Sequence, residues 1–436
     1  MRYNLWKKCH GSAGEKSGSS LHPGVDCGIM LKKYGLLCDK ESGAAETAGS
    51  APVWMVFTAI AGLPRPHRQP VRTERIFRRG CLQSIVQRCN MAVETVSLCV
   101  VALNEAKFLP NLLRDLENQT YPHEKTEIVL VDSGSSDGTR DIMEQFARDH
   151  RPDYLGIQVL PNPGGIPASG WNVAIRHFTG DVIIRIDAHT HIPAEFAQKN
   201  MTNLQGGEYV SGGIRPCVIE NDTAWGRTLL ETENSLFGSS VNISRRSQQK
   251  QYVKSLFHGA YRREVFEKSG VFNEQLLRTE DNEMHYRIRQ NGYQICYDPD
   301  IVSYQYARSS LRRMIRQKFG NGYWIGLTLG VCPGCISLFH LVPFVFVLAI
   351  LGTSALAALG WPLLSMLMWG AYGLFTLLGV VCSILNGKAT WLSWLMPVLF
   401  LILHVSYGIG TAVGLLKMPA FRKNYHTPGP GISKGE

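Results

Sequence analysis

Four short groups in this 436-residue chain combine acids, imidazoles and small turn-formers in ways suited to chemistry on a charged, hydroxyl-bearing ligand. Leu103-Asn104-Glu105 closes one apolar run with polar side chains. Val131-Asp132-Ser133-Gly134-Ser135-Ser136-Asp137-Gly138-Thr139 closes another with a carboxylate and a Gly/Ser turn. Asp132 there suits hydrogen bonds from a nucleobase or ribose, whereas Asp137 reads as a cap for the next helix. Ile186-Asp187-Ala188-His189 offers a hard oxygen and an imidazole two residues apart, on one side of an extended chain. A departing diphosphate needs its charge neutralised, usually by a divalent cation. Mg²⁺ prefers oxygen while Mn²⁺ accepts imidazole, so the histidine leans toward Mn²⁺. By itself D-x-H is more often a turn. Thr279-Glu280-Asp281 sets two acids ahead of an amphipathic stretch, Glu283–Gln290. Helix-dipole compensation is the default for such a pair, yet either carboxylate suits a general base toward an acceptor hydroxyl. Upstream, His258-Gly259 pairs an acceptor-side histidine with a residue that lets backbone approach a ligand; a structural histidine fits the same pattern.

The elements that must position these groups alternate. Thr95–Leu103, Glu127–Asp132, Gly156–Leu160 and Val182–Asp187 read as strands, and Ala106–Gln119, Thr139–His150 and Ile166–Phe178 carry helical spacing. Such alternation predicts βαβ units and a mainly parallel α/β sheet. Ligands of these sheets bind at the carboxyl ends of the strands, where the first three groups fall.

No Asp, Glu, Lys or Arg occurs between Lys318 and Lys388, nor between Lys388 and Lys417. Three membrane spans of about 20 residues are expected near 336–358, 363–384 and 391–416, with Trp361, Trp369, Trp391 and Trp394 as interfacial anchors. Orientation is in conflict. Arg308, Arg312, Arg313, Arg316 and Lys318 before the spans, and Lys417, Arg422 and Lys423 after them, all favour the cytosol. Three crossings cannot satisfy both sets, unless 322–334 adds a further span or re-entrant piece. Cys332 and Cys335 form a C-x-x-C without a partner pair, which reads as membrane-edge packing.

The net charge of +10 lies mostly in the first 90 residues, which carry +8 of it. The remaining body is nearly neutral, which argues against a nucleic-acid partner. Those 90 residues lack sustained periodicity, so 1–92 is expected to be a disordered extension, with translation starting near Met91 as a further expectation.

VALNE (Val101–Glu105), VDSGSSDGT (Val131–Thr139), IIRIDAHT (Ile183–Thr190), HGAYRREVFEKSGVFNE (His258–Glu274) and TEDNEMHYRIRQNGY (Thr279–Tyr293) together resemble the family 2 glycosyltransferases. The DAH form of the family's D-x-D, followed by apolar spans, is similar to bacterial enzymes of succinoglycan and related exopolysaccharide biosynthesis. The resemblance implies a GT-A fold (nucleotide-diphospho-sugar transferase, Rossmann-like mixed sheet) over 93–306. A basic interfacial helix over 307–324, about three transmembrane helices within 325–418 and a tail over 419–436 complete the expected organisation. It also implies an inverting displacement from a nucleotide sugar, commonly a UDP-sugar. Ala102, Asn104, Glu105, Asp132, Asn172 and Asp187 would bind the donor, and Asp187 with His189 would hold Mn²⁺ or Mg²⁺. Asp281 would be the general base with Glu280 beside it, and His258 and Gly259 would lie on the acceptor side. Trp171-Asn172 stands where many relatives place Arg-Asn. The Q-x-x-R-W of processive synthases is missing from Arg316-Gln317-Lys318-Phe319-Gly320-Asn321, which favours single-sugar transfer. The expected acceptor is a lipid-linked saccharide at a bacterial plasma membrane, with a multi-pass chain and a cytoplasmic catalytic domain. A polyprenyl-phosphate sugar synthase is the nearest alternative; a non-catalytic membrane scaffold is the alternative of another class.

Overall fold

The computed structural model describes residues 94–220, 222–235, 237–238, 247–306 and 310–427. The expected extension over 1–92, Met91, Arg308 and the tail beyond residue 427 lie outside the described residues.

β1 (Val96–Ala102), α1 (Leu109–Glu117), β2 (Thr126–Asp132), α2 (Thr139–His150), β3 (Gly156–Pro161), α3 (Pro167–His177) and β4 (Val182–Asp187) alternate as the periodicity predicts. β1 and β2 are nearly continuous apolar runs because both of their faces are covered. One face meets Leu109, Leu112, Leu116, Met143 and Phe146 of α1 and α2, and the other meets Trp171, Ala174 and Ile175 of α3. Pro167 opens α3 at a position where its missing N–H has no intrahelical partner to lose.

After β4 come β5 (Thr190–His191), α4 (Phe196–Gln205), β6 (Val210–Ile214), β7 (Cys217–Val218), α5 (Ala224–Asn234), β8 (Gln251–Tyr252), β9 (Ala260–Arg262), α6 (Arg263–Ser269), α7 (Glu280–Gln290), β10 (Ile295–Val302) and β11 (Tyr304–Tyr306). The main sheet has the order β3-β2-β1-β4-β9-β6-β10-β8. Its β3-β2-β1-β4 half is parallel throughout. β9 then lies antiparallel between β4 and β6, and β8 is antiparallel to β10, so the second half is mixed. Because β4 and β6 both oppose β9, the carboxyl ends of β2, β1, β4 and β6 share one edge. A small sheet, β5-β11-β7, folds over that edge.

α8 (Leu311–Thr328) runs four residues beyond the interfacial helix expected to end at 324. It leads to α9 (Val342–Ala358), α10 (Leu363–Leu385) and α11 (Met396–Lys423). With their flanking turns, the last three segments are long and apolar enough to cross a membrane, over Leu338–Ala358, Leu363–Leu385 and Ser393–Lys423. α8 and α11 pack in parallel through two G-x-x-x-G pairs, Gly322/Gly326 and Gly410/Gly414, which allow backbones to approach closely. A Cβ on Gly322 would lie 2.0 Å from the Tyr407 carbonyl oxygen, and one on Gly410 would lie 2.1 Å from that of Phe319. Gly322→Val is therefore expected to destabilise the chain by about 1–3 kcal/mol, read as a lower melting temperature in detergent. Gly352→Val, where a Cβ meets nothing within 4 Å, should leave the melt unchanged.

The seam is tied to the α/β domain. Arg278 Nη1 donates to Asn321 Oδ1 at 3.0 Å, and the Thr279 and Thr328 hydroxyls meet at 2.6 Å. Lys318, buried, donates to Glu233 Oε1 at 2.7 Å.

Candidate active site

The edge is assembled from turns held by their own side chains. Asn104 adopts φ +56°, a conformation that Asn tolerates better than most residues. Its Oδ1 accepts the Ser136 N–H at 2.8 Å, while its own N–H donates to Ser135 Oγ at 2.9 Å. The Glu105 N–H donates to Thr139 Oγ1 and that of Ala106 to Asp137 Oδ2. Asp137 Oδ1 accepts the Thr139 N–H and hydroxyl, so it serves the helix start and the neighbouring turn together. These contacts lock the turn after β1 onto the turn after β2. Asp132, buried, accepts the Ser135 N–H at 3.1 Å and pairs in register with Ala102. Val101 pairs with Asp187 on the other side of β1. β2 and β4 therefore flank β1, about 10 Å apart at the usual strand spacing, and the one-residue offset sets the two carboxylates on opposite faces of the sheet edge.

Asp187 is the centre of the edge. His258 Nε2 lies 3.2 Å and Arg215 Nη1 3.6 Å from its Oδ2. Burial works against ionisation, but His258, Arg215 and His189 outweigh it and hold the carboxyl well below the ordinary range. His258 is pushed below its usual value by burial, against the pull of Asp187. A neutral imidazole fits its contacts: Nε2–H to Asp187, with Nδ1 2.8 Å from Ser303 Oγ. His189 sits between Glu105 Oε1 at 3.2 Å and Gln305 Nε2 at 2.9 Å. Burial lowers its affinity for a proton, and Glu105 and Asp187 more than restore it.

Arg185, two residues before Asp187 on the same face of β4, is almost completely buried. Its guanidinium stacks 4.3 Å from the Trp171 ring and 4.7 Å from that of Phe272, and Nη1 bonds Asp281 Oδ1. The acid pair at the head of α7 is thus brought to β4 by one buried cation. Glu280 is buried beside it, its Oε2 lacking a hydrogen-bond partner among the described residues. Burial, then the Asp281 charge, push Glu280 up to about 8. His285, pushed down to about 4 by burial, braces α7 with Nε2 2.7 Å from the Tyr261 hydroxyl.

The raised Glu280 value makes a signed prediction. Its contribution to stability is complete below its unfolded value of 4.5 and is lost as pH climbs toward about 8, because the unfolded chain ionises first. Glu280→Gln should therefore gain in melting temperature over the parent progressively between pH 5 and 8. A pH-independent difference would sink the assignment.

Two expected ligand residues are occupied structurally. Asn172 donates to the Phe272 carbonyl at 2.9 Å and Glu274 Oε1 at 2.8 Å, and accepts the Phe272 N–H at 2.8 Å. Its amide is engaged in holding the turn after α6 onto α3. The Ala102 side chain is in the core, so its share in a pocket falls to the backbone. Gly259 meets the Tyr261 side chain, whose hydroxyl a Cβ would approach to 2.6 Å, and its carbonyl accepts the Arg185 N–H. Arg185, Arg215, Ser303 and Gln305 were not anticipated. A lone Arg in the apolar run VIIRID was the available signal for Arg185, and the strand-end rule would have reached Arg215 had β6 been assigned.

Residues 97–270 match the family model described as glycosyl transferase family 2. The chain carries a family 2 glycosyltransferase domain. Its activity class is hexosyl transfer, and its sheet is of the GT-A type. Among curated proteins, this glycosyltransferase is 23% identical to the dolichyl N-acetyl-alpha-D-glucosaminyl phosphate 3-beta-D-2,3-diacetamido-2,3-dideoxy-beta-D-glucuronosyltransferase of Methanococcus voltae, across 74% of this chain and 97% of that one. It is 28% identical to the succinoglycan biosynthesis protein ExoA of Rhizobium meliloti (strain 1021), across 52% and 68%. Among solved structures, the mannosyltransferase PcManGT from Pyrobaculum calidifontis, in complex with GDP-Man and Mn²⁺, aligns with 77% of this chain and 96% of that one. The TM-score is 0.49 and the identity 21%.

Proposed function

We propose that this glycosyltransferase moves one sugar from a nucleotide sugar, a UDP-sugar in the first instance, to a hydroxyl of a lipid-linked saccharide at a bacterial plasma membrane. The observation that supports this most directly is the Arg185 bridge, which joins the donor-side Asp187 strand to Asp281. Asp132 and Asn104 suit the nucleoside, while Asp187 and His189 suit the diphosphate end.

Charge argues for a divalent cation. The site gathers Asp132, Asp187, Asp281 and Glu105 against the guanidinium groups of Arg185 and Arg215, before a diphosphate adds its own negative charge. Among the described residues no three His, Cys, Asp or Glu side chains converge on one point. Asp187 and His189 therefore fit an ion that takes two protein donors and fills its shell from phosphate oxygens and water, as Mg²⁺ and Mn²⁺ do. Such an ion, when bound, supplies charge for the leaving diphosphate. Asp281, oriented through Oδ1 by Arg185, takes the proton of the acceptor hydroxyl as that oxygen attacks the anomeric carbon. A single displacement of this kind inverts the anomeric centre.

Membranes holding the enzyme, incubated with a panel of radiolabelled nucleotide sugars and Mn²⁺, should place label from one donor in the lipid extract. EDTA should stop the transfer. No incorporation from any donor overturns the proposal.

A further inference from the structure

Length and composition nominate three crossings, but the contacts of α11 do not suit a crossing helix. At its entry, Thr390 Oγ1 meets Thr228 Oγ1 of α5 at 2.6 Å. Midway, His404 Nε2 lies 2.8 Å from the Phe237 carbonyl, and the Phe237 ring packs among Tyr372, Phe400 and His404. At its exit, Gln275 Nε2 donates to the Asn424 carbonyl at 2.7 Å, Asn273 donates to that of His426, and the His426 N–H returns to Gln275 Oε1. Both ends and the middle thus rest on one folded body. α8 and the turn after it lie along α11 from Met314, clustered with Leu399 and Leu403, to Gly330, against Met418.

α11 has 28 residues, about 42 Å of helix, longer than the ~30 Å hydrocarbon core. Were it to cross, Thr228 and Gln275 would face opposite sides of the bilayer. The polar surface between them would have to cross too, including the buried Lys318–Glu233 pair and the Arg278–Asn321 contact. Exposed Asp222 and Arg227 flank the α5 end, which excludes hydrocarbon there. By contrast, α9 and α10 form a hairpin whose outer residues, such as Leu351 and Leu367, are more than half exposed, with Trp361 at its tip.

We propose that the α9–α10 hairpin alone crosses the bilayer, out and back, and that α8 and α11 lie together in the interface of the leaflet on the catalytic side. The partner of that paired surface is the headgroup and upper acyl layer of an anionic leaflet. Arg312, Arg313, Arg316, Lys417, Arg422 and Lys423, all exposed, meet the headgroups. Phe319, Val398, Ile409 and Leu416, the last 81% exposed, enter the acyl boundary. Two crossings also remove the orientation conflict, since both basic clusters then face the cytosol. The inference rests on membrane attachment and not on the transfer reaction.

The test uses the full chain in cells, with one epitope tag per variant: within 359–362, within 386–389, or after Glu436. With a parallel carbonate wash leaving the chain in the membrane pellet, the tip tag should be reached by antibody only from outside intact, unwashed spheroplasts. The other two should be reached only in inverted vesicles, with the catalytic domain. A tag after Glu436 accessible from outside, with the chain still in the membrane pellet, overturns the two-crossing arrangement and leaves the transfer reading standing. A chain washed off by carbonate overturns both this arrangement and membrane spanning itself. Because a tag can disturb a terminus, protease trimming of the untagged chain in inverted vesicles, read by mass at residues 422–436, provides a second measure. Protection of that segment there counts equally against the proposal.

Discussion

Asp281→Asn is expected to lower kcat by about 10²–10⁴-fold, the usual scale for losing a general base, while leaving the affinity for the nucleotide sugar nearly intact. Initial rates of label transfer and donor calorimetry check the two halves separately. The substitution has a structural cost as well. Arg185 is buried against Trp171 and Phe272, and the Asp281 carboxylate is its ionic partner. Removing that charge leaves a buried cation uncompensated, a change that costs about 3–5 kcal/mol in comparable pairs. A second variant separates the effects: Arg185→Met added to Asp281→Asn removes both charges and should recover much of the melting temperature. Activity should not return. If it did, Asp281 would matter only as the partner of Arg185. An unreduced kcat in the single variant would instead support direct charging of a lipid phosphate, whose oxygen needs no base.

Asp187→Ala should act on the other half of the reaction. Donor binding in the presence of Mn²⁺ should weaken by at least about 10²-fold, the upper end of what even indirect damage to a metal site produces. Transfer should fall below detection. Titrating Mn²⁺ against residual binding tests the role, because a purely structural Asp187 would leave the metal dependence of donor affinity unchanged. A fall in stability is expected alongside, since Asp187 also separates Arg215 from His258, and the remaining cation would then face a buried imidazole.

The first half of the domain was legible in the sequence because its signals are local. β4 and α2 fall on their expected bounds, and β1, β2, β3 and α3 within about one residue, as apolar runs and helical spacing alternate cleanly there. β9 carried no comparable signal. Three residues between two antiparallel neighbours owe their state to pairing with β4 and β6, which lie far away in the chain. The placement of candidate groups at the sheet edge was legible wherever a polar residue ends a strand, as Asp132 and Asp187 do. It was not legible where a group acts across the fold. Asn172 reads as a ligand until the turn bearing Phe272 takes its amide, and Gln305 reaches His189 only because β11 pairs with β5. For α11, hydropathy scores how apolar the helix is, as its length and composition bear out, and not what lies against it.

The meeting of the Thr279 and Thr328 hydroxyls bears on how the protein will behave once extracted from its bilayer. It joins the start of α7 to the last residue of α8, so the two turns are expected to open together. α8 is held in turn by glycine contacts that any wedge between it and α11 would separate. A detergent that intrudes there would release the Glu280–Asp281 turn while the main sheet stays folded, so activity would decay ahead of any change in circular dichroism. Amide exchange at residues 279–283 would then follow that of 322–328 and not that of β1. Loss of function on extraction would be a local opening at this joint, with the fold around it intact.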